Sequence, residues 1–464
     1  MLQSVGINNN QVANITNNNS KKPDTLKTIQ ASIPNAISVK SHNVYALSSV
    51  NTSLSQSDKD KYLYLINFLT NIPPSKNSEG LTSVKQLDVL LRNGKLLAKS
   101  NNDKSTTLDN LYDIATQERT ANLESKRIIS DTLDILVNPR YVTQNFGDVP
   151  ESEKQAVLSK QTPESDVIKN PDLMNVFASG TCCAASNEVN MADKYPAEFA
   201  RWISKLSSKN RELYLNIDLK TISKDPLEAA TILRILGADN KKFSFKDNKI
   251  RVSLDENAYL RAQIQENHWD EGERNIADVL IQSAIMRLGS QNTYDSLTDT
   301  REAMFNSNTQ GLVEVEKTFV ESLIKNKEIT SLVYQQIDED QNLVGWTCSF
   351  DKMARHITDT LNSGEDVIIG YVLTNETAGI TKNSDYNPQL QGAPNQVING
   401  HEITIVDYMQ DSSGNINFVC IDTDDDSHDF VIYGADWLLP KIHHAGYPAK
   451  IVEQDEKEIM AKVA

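Results

Sequence analysis

Three β-rich runs crowd into one late stretch of the 464-residue chain: "EDVIIGYVLT" (365–374), "HEITIVDYMQ" (401–410) and "NINFVCIDTD" (415–424). β-Branched and aromatic residues dominate them, and "DSSG" at 411–414 supplies a turn between the last two. Before residue 365 the apolar spacing is mostly helical. Tyr62, Leu63, Leu65, Ile66 and Leu69 form one periodic stretch, and Val84, Leu87, Val89, Leu90 and Leu91 another. Residues 107–139 read as one or two helices ending before Pro139, and further helices are expected at 182–193, 196–206, 273–288, 314–325 and 350–362. Two exceptions stand among them. "ELYLNIDL" (212–219) alternates like a half-buried strand, and "FSFKDNKIRVSL" (243–254) reads as a hairpin around Asp247-Asn248. Helices that precede and stay apart from an antiparallel sheet predict an α+β fold.

Composition sets further bounds. Apolar content of 39 % with 23 % charged residues suits a chain with a real core. A net charge of −17 argues against a nucleic-acid partner, which calls for a basic footprint. The sequence contains no apolar run of about 18 residues, so no membrane span is expected. The first thirty residues lack the apolar centre of a secretory signal, which predicts a cytoplasmic chain or one exported without such a signal. Residues 1–56, rich in Asn, Ser and Lys, are expected to be a low-complexity, disordered arm. A helical region at 57–145, a main domain at 146–450 and a tail at 451–464 complete the expected division.

Four cysteines at 182, 183, 348 and 420 include no C-x-x-C pair, so reduced thiols are expected and no thiolate metal site. Two are neighbours in "GTCCAASNEV" (180–189). Free cysteine usually packs as a small apolar residue, yet Gly180-Thr181 is a small-residue turn before a helical pattern. That places Cys182 at a helix N-terminus, where the macrodipole favours a thiolate and the unpaired N–H groups can receive an oxyanion. A thiol nucleophile needs a base. Among the seven histidines, His401 opens a strand after Gly400, with Ile403, Ile405 and Val406 behind it. Turning the chain at "DSSG" pairs residues whose numbers sum to roughly 824, so His401 faces a position near 423 and Asp422 falls within a residue or so of it. Asp424, Asp425 and Asp426 are rivals for that place.

Several other features point to no site. Read as an EF-hand, the acidic run puts Ser427 where Gly is needed and Tyr433 where a bidentate Glu is needed, so calcium is not expected. His443-His444 lacks a third ligand at good spacing and reads as a surface loop. Trp346 and Trp437 read as core residues.

At these residues the chain resembles the papain-like cysteine peptidase superfamily. Gly180-Thr181-Cys182-Cys183-Ala184-Ala185-Ser186 is similar to its G-S-C-W-A-F-S pattern, and "GHEITIVDY" (400–408) to its histidine strand. The resemblance implies a two-lobe fold: a helical lobe carrying Cys182 as nucleophile, and an antiparallel β lobe carrying His401 as base and Asp422 as orienter. It makes 146–450 the catalytic domain. There are departures. Cys182 and His401 are 219 positions apart, against about 130–150 in that superfamily, which predicts an insertion at about 208–340 packed as its own helical subdomain. The usual oxyanion Gln is replaced by Val176, with Asn175 the nearest amide, and the Trp after the orienting residue is missing. The expected activity is that of a cysteine hydrolase, a peptidase or isopeptidase, with a polypeptide substrate and no cofactor or metal. A transglutaminase or acyltransferase on the same scaffold and a non-catalytic binding module remain open beside it.

Overall fold

Local signals place the helix starts. Thr106 and Asp109 cap one another's backbone N–H groups at 3.0 and 2.8 Å, and Asn275 and Asp278 do the same at 3.0 and 2.9 Å. A computed structural model describes residues 54–120, 123–145, 150–163, 166–169, 180–236, 243–244, 248–267, 273–302, 311–374, 397–424 and 428–454. The expected arm at 1–56 therefore lies almost wholly outside the described residues, as do Asn175, Val176, Asp425, Asp426 and most of the tail at 451–464.

The chain is mixed α+β. Helices α1 (Gln56–Leu69), α2 (Ser83–Arg92), α3 (Thr107–Thr116) and α4 (Ser125–Val137) come first. Then follow α5 (Glu151–Leu158), α6 (Cys182–Lys194), α7 (Pro196–Leu206), α8 (Pro226–Ile235), α9 (Glu256–Asn267), α10 (Ile276–Gly289), α11 (Glu314–Lys325) and α12 (Phe350–Asn362). Strands β1 (Leu213–Asn216), β2 (Phe243–Ser244) and β3 (Lys249–Val252) make a small antiparallel sheet in the order β1-β3-β2.

The larger sheet joins β4 (Ile329–Val333), β7 (Val367–Thr374), β8 (Val397–Gln410), β9 (Ile416–Ile421), β10 (Val431–Gly434) and β11 (Ile442–Pro448) in the order β10-β9-β8-β7-β11-β4. A separate ribbon pairs β5 (Gln335–Ile337) with β6 (Leu343–Trp346). Every strand pair among the described residues is antiparallel. The β8–β9 turn is built as the sequence suggests: Asp411 Oδ1 accepts from the N–H groups of Ser413 and Asn415 at 2.8 and 2.9 Å, and Gly414 supplies a φ of 88°.

Two cores meet at this sheet. On one face Met353, Ile357 and Leu361 of α12 pack against Val367, Ile369, Ile403, Ile405, Phe418 and Cys420. The opposite face, through Val406 and Ile421, joins a core shared by α1–α4, α6, α7, α10 and α11. Helix α6 is fastened to β8 where the Thr404 hydroxyl donates to Ser186 O at 3.2 Å.

Three expectations need correcting. Residues 208–340 are not a separate helical subdomain: Ala277, Leu280, Ile281 and Ala284 of α10 share the core of α6, and β4 extends the main sheet along β11. His443 and His444 lie within a strand, not in a loop. Trp346 is 39 % exposed, edge-on to Phe350, whereas Trp437 is half-buried, stacked on Tyr433 and packed against the sheet core as expected.

Candidate active site

Helix α6 begins without a side-chain cap. Thr181, at the capping position, spends its hydroxyl elsewhere: it donates to Gln282 Oε1 at 3.2 Å and accepts from the Arg274 guanidinium. The first helical hydrogen bonds are those of Ala184 and Ala185 N–H to Thr181 O, at 2.8 and 2.9 Å. The amides of Cys182 and Cys183 precede them, which leaves the start of the helix as a place for negative charge.

The two cysteines separate cleanly. Cys182 is half-buried, and its thiol is a neighbour of the His401 imidazole that raises the histidine's value. Cys183 is buried, with its sulfur 3.8 Å from that of Met286. Burial pushes the Cys183 thiol far up, helped by the negative charge of Glu402 and by Cys182. It is an inert core thiol.

His401 stands on β8 opposite Tyr371 of β7, whose ring meets the imidazole edge-on at 5.8 Å between centroids. Its Nε2 lies 2.7 Å from Asp422 Oδ1, which leaves Nδ1 for the thiol of Cys182. Burial opposes the charged imidazolium. The hydrogen bond to Asp422 and the neighbouring Cys182 outweigh it and hold the His401 value well above its ordinary one.

Asp422 follows β9, where Thr404↔Ile421 sets the pairing sum at 825, one residue from the expected register. Its Oδ1 also accepts the backbone N–H of Asp424 at 3.1 Å, which fixes the carboxylate toward the histidine and leaves Asp424 exposed. The next residue, Thr423, is buried, and its carbonyl accepts from Gln144 N–H at 3.1 Å and the Thr143 hydroxyl at 3.2 Å. This clasp comes from the chain after α4, about 280 positions away, so the early helical region takes part in the site.

Gln282 on α10 closes the circuit. Its Nε2 donates to Thr143 O at 2.8 Å and to Glu188 Oε2 at 2.9 Å, while its Oε1 accepts from Thr181. One buried amide thus links the residue before Cys182 to the clasp on the Asp422 loop. Sequence reasoning missed Tyr371, Thr143, Gln144 and Gln282. None of the four carries a local signal: 22 residues separate β7 from β8, so even the pairing of Tyr371 with His401 could not be read from a turn.

The described residues therefore bring Cys182, His401 and Asp422 together, and Asn175 lies outside them. No protein-family model matches the chain, and no curated protein matches it either.

Proposed function

We propose that this chain is a papain-like cysteine hydrolase, a peptidase or isopeptidase, with Cys182 as nucleophile, His401 as general base and acid, and Asp422 as the group that orients the histidine. One observation carries the reading: a single imidazole lies between a carboxylate at 2.7 Å and a thiol at an uncapped helix start. In the acylation step the Cys182 proton resides on His401 and the sulfur attacks the acyl carbon of the substrate. The oxygen that gains charge is received by the amides at the start of α6. Collapse breaks the C–N bond as His401 protonates the departing amine. In the second step His401 takes a proton from water, the resulting hydroxide opens the thioester, and the proton returns to sulfur.

Asp422 keeps Nε2 as the protonated nitrogen, so that Nδ1 is the one that exchanges protons with sulfur. The lobe order, with a helix carrying the thiol packed on a sheet carrying the histidine, supports the papain-like assignment. The test is intact-protein mass spectrometry after treatment with iodoacetamide at pH 6, followed by peptide mapping. Rapid labelling of Cys182 alone, lost in His401→Ala, is the expected result. Uniformly slow labelling of all four cysteines would favour a binding module. Incubating a labelled acyl donor with water or with a primary amine as acceptor separates hydrolysis from acyl transfer.

A further inference from the structure

We propose that Glu314, His443 and His444 form a binding site for one divalent transition-metal ion, with zinc the best match. The three donor atoms already surround one point. His443 Nδ1 and His444 Nδ1 are 3.1 Å apart, and Glu314 Oε1 lies 3.6 Å from the first and 3.9 Å from the second. Nitrogen and oxygen ligands about 2.0–2.1 Å from a tetrahedral zinc ion are separated by about 3.3–3.4 Å. The observed triangle scatters around that spacing, and small side-chain rotations would close it.

Neighbouring strand residues ordinarily point to opposite faces of a sheet, so an adjacent histidine pair should not converge. Here the register of β11 against β7 passes from Ile442↔Tyr371 to His444↔Gly370, so two residues of β11 occupy one step of β7. Such a bulge re-aims a side chain. The glycine opposite is required as well: a Cβ on Gly370 would sit 2.1 Å from the His444 ring. Glu314 reaches the pair from the first turn of α11.

The outer contacts suit a metal-binding imidazole, whose second nitrogen usually faces a carboxylate. His444 Nε2 faces Glu402 Oε1 at 3.5 Å. Lys317 also stands 3.5 Å from that nitrogen, paired with Glu402; with Nδ1 on the metal, Nε2 carries the proton and the ammonium turns wholly to Glu402. Glu314 is about one-third exposed, which leaves a solvent path and room for a water as fourth ligand. The ion would tie α11, part of the helical core, to β11 of the sheet core. Gly370 also pairs with Glu402, the neighbour of His401, so the site lies two strands from the candidate base, roughly 10 Å at ordinary strand spacing.

The test uses the full chain, reduced and stripped with a chelator. Zinc is titrated against a chromophoric competitor, and cobalt(II) serves as a spectroscopic probe of coordination. Because the Cys182–His401 pair could itself take zinc, the measurements are repeated in Cys182→Ser. The expected result is one zinc per chain in both proteins and, in Cys182→Ser, a tetrahedral cobalt spectrum without a thiolate charge-transfer band. Glu314→Gln, a change of one atom at a partly exposed position, should weaken zinc about tenfold or more, and His443→Gln about a hundredfold. Circular dichroism would check that both variants are folded. Saturable binding that disappears in Cys182→Ser, affinity unchanged in folded Glu314→Gln, or no saturable binding to the stripped wild-type chain would each overturn the proposal.

Discussion

Adjacent thiols with opposite surroundings make the sharpest residue-scale comparison. Cys182→Ala should lower thiol labelling at the site and hydrolysis by about a thousandfold or more, since thiol and imidazole act as one unit. Cys183→Ala should retain most activity and cost about 1 kcal/mol of stability, the loss expected for trimming a small buried side chain, as read from denaturant unfolding. Asp422→Asn should change the pH profile more than the maximum. Its hydrogen bond does most to raise His401, so the amide lets the imidazolium lose its proton at lower pH. The imidazolium protonates the departing amine, so the alkaline limb of the pH profile for hydrolysis should move toward acid. A profile that stayed in place would mean that Asp422 does not govern His401.

Between elements, Gln282 offers the corresponding test. It touches neither sulfur nor imidazole, but it bridges Thr181, Thr143 and Glu188. Gln282→Leu should keep the α10 packing while releasing the link from α6 to the Asp422 loop. We expect a fall of about tenfold in turnover with an altered pH profile, and Gln282→Glu should restore part of it through Thr181. Elements with a strong local period were legible in the sequence. Strands β7 to β9 are dense in β-branched and aromatic residues, the turn at 411–414 joins the last two, and α11 and α12 announce themselves by apolar spacing. Strand β11, "IHHAGYP", hides behind polar residues, a glycine and a proline, so neither its place in the sheet nor its bulge could be read. Hairpin register brought His401 and Asp422 together on paper because only about 20 residues separate them. The Thr143 clasp escaped notice because periodicity says which face of a segment is buried and never against what.

For the whole molecule the buried carboxylates set a pH dependence. Burial pushes Glu188 up to about 8, Asp366 to about 7, and Asp131 and Asp134 to about 6, and it raises Asp278 as well. Each is raised above its unfolded value. The stabilisation they provide is complete below the ordinary carboxylate range and is lost as pH rises through these folded-state values. His401, also raised, adds a loss in the same direction above its ordinary value of about 6.5. The melting temperature should fall between about pH 6 and 8, on the order of 5 °C, and Glu188→Gln should flatten that slope. A flat profile in the unaltered chain would show these acids to be ionised at neutral pH.

Strand order has a consequence for the timing of synthesis. The last strand, β11, does not lie at an edge but between β7 and β4. A nascent chain that has emerged only as far as residue 441 holds Cys182, His401 and Asp422, yet β7 and β4 have no partner between them. Both would present open backbone to other strands until Ile442–Pro448 arrives. Because chains grow at about 5–20 residues per second, that exposure is brief on the ribosome, but it becomes permanent in any product cut short before β11. Such fragments should aggregate, so a cell making this protein would be spared a chain that carries the three site residues on an unfinished sheet.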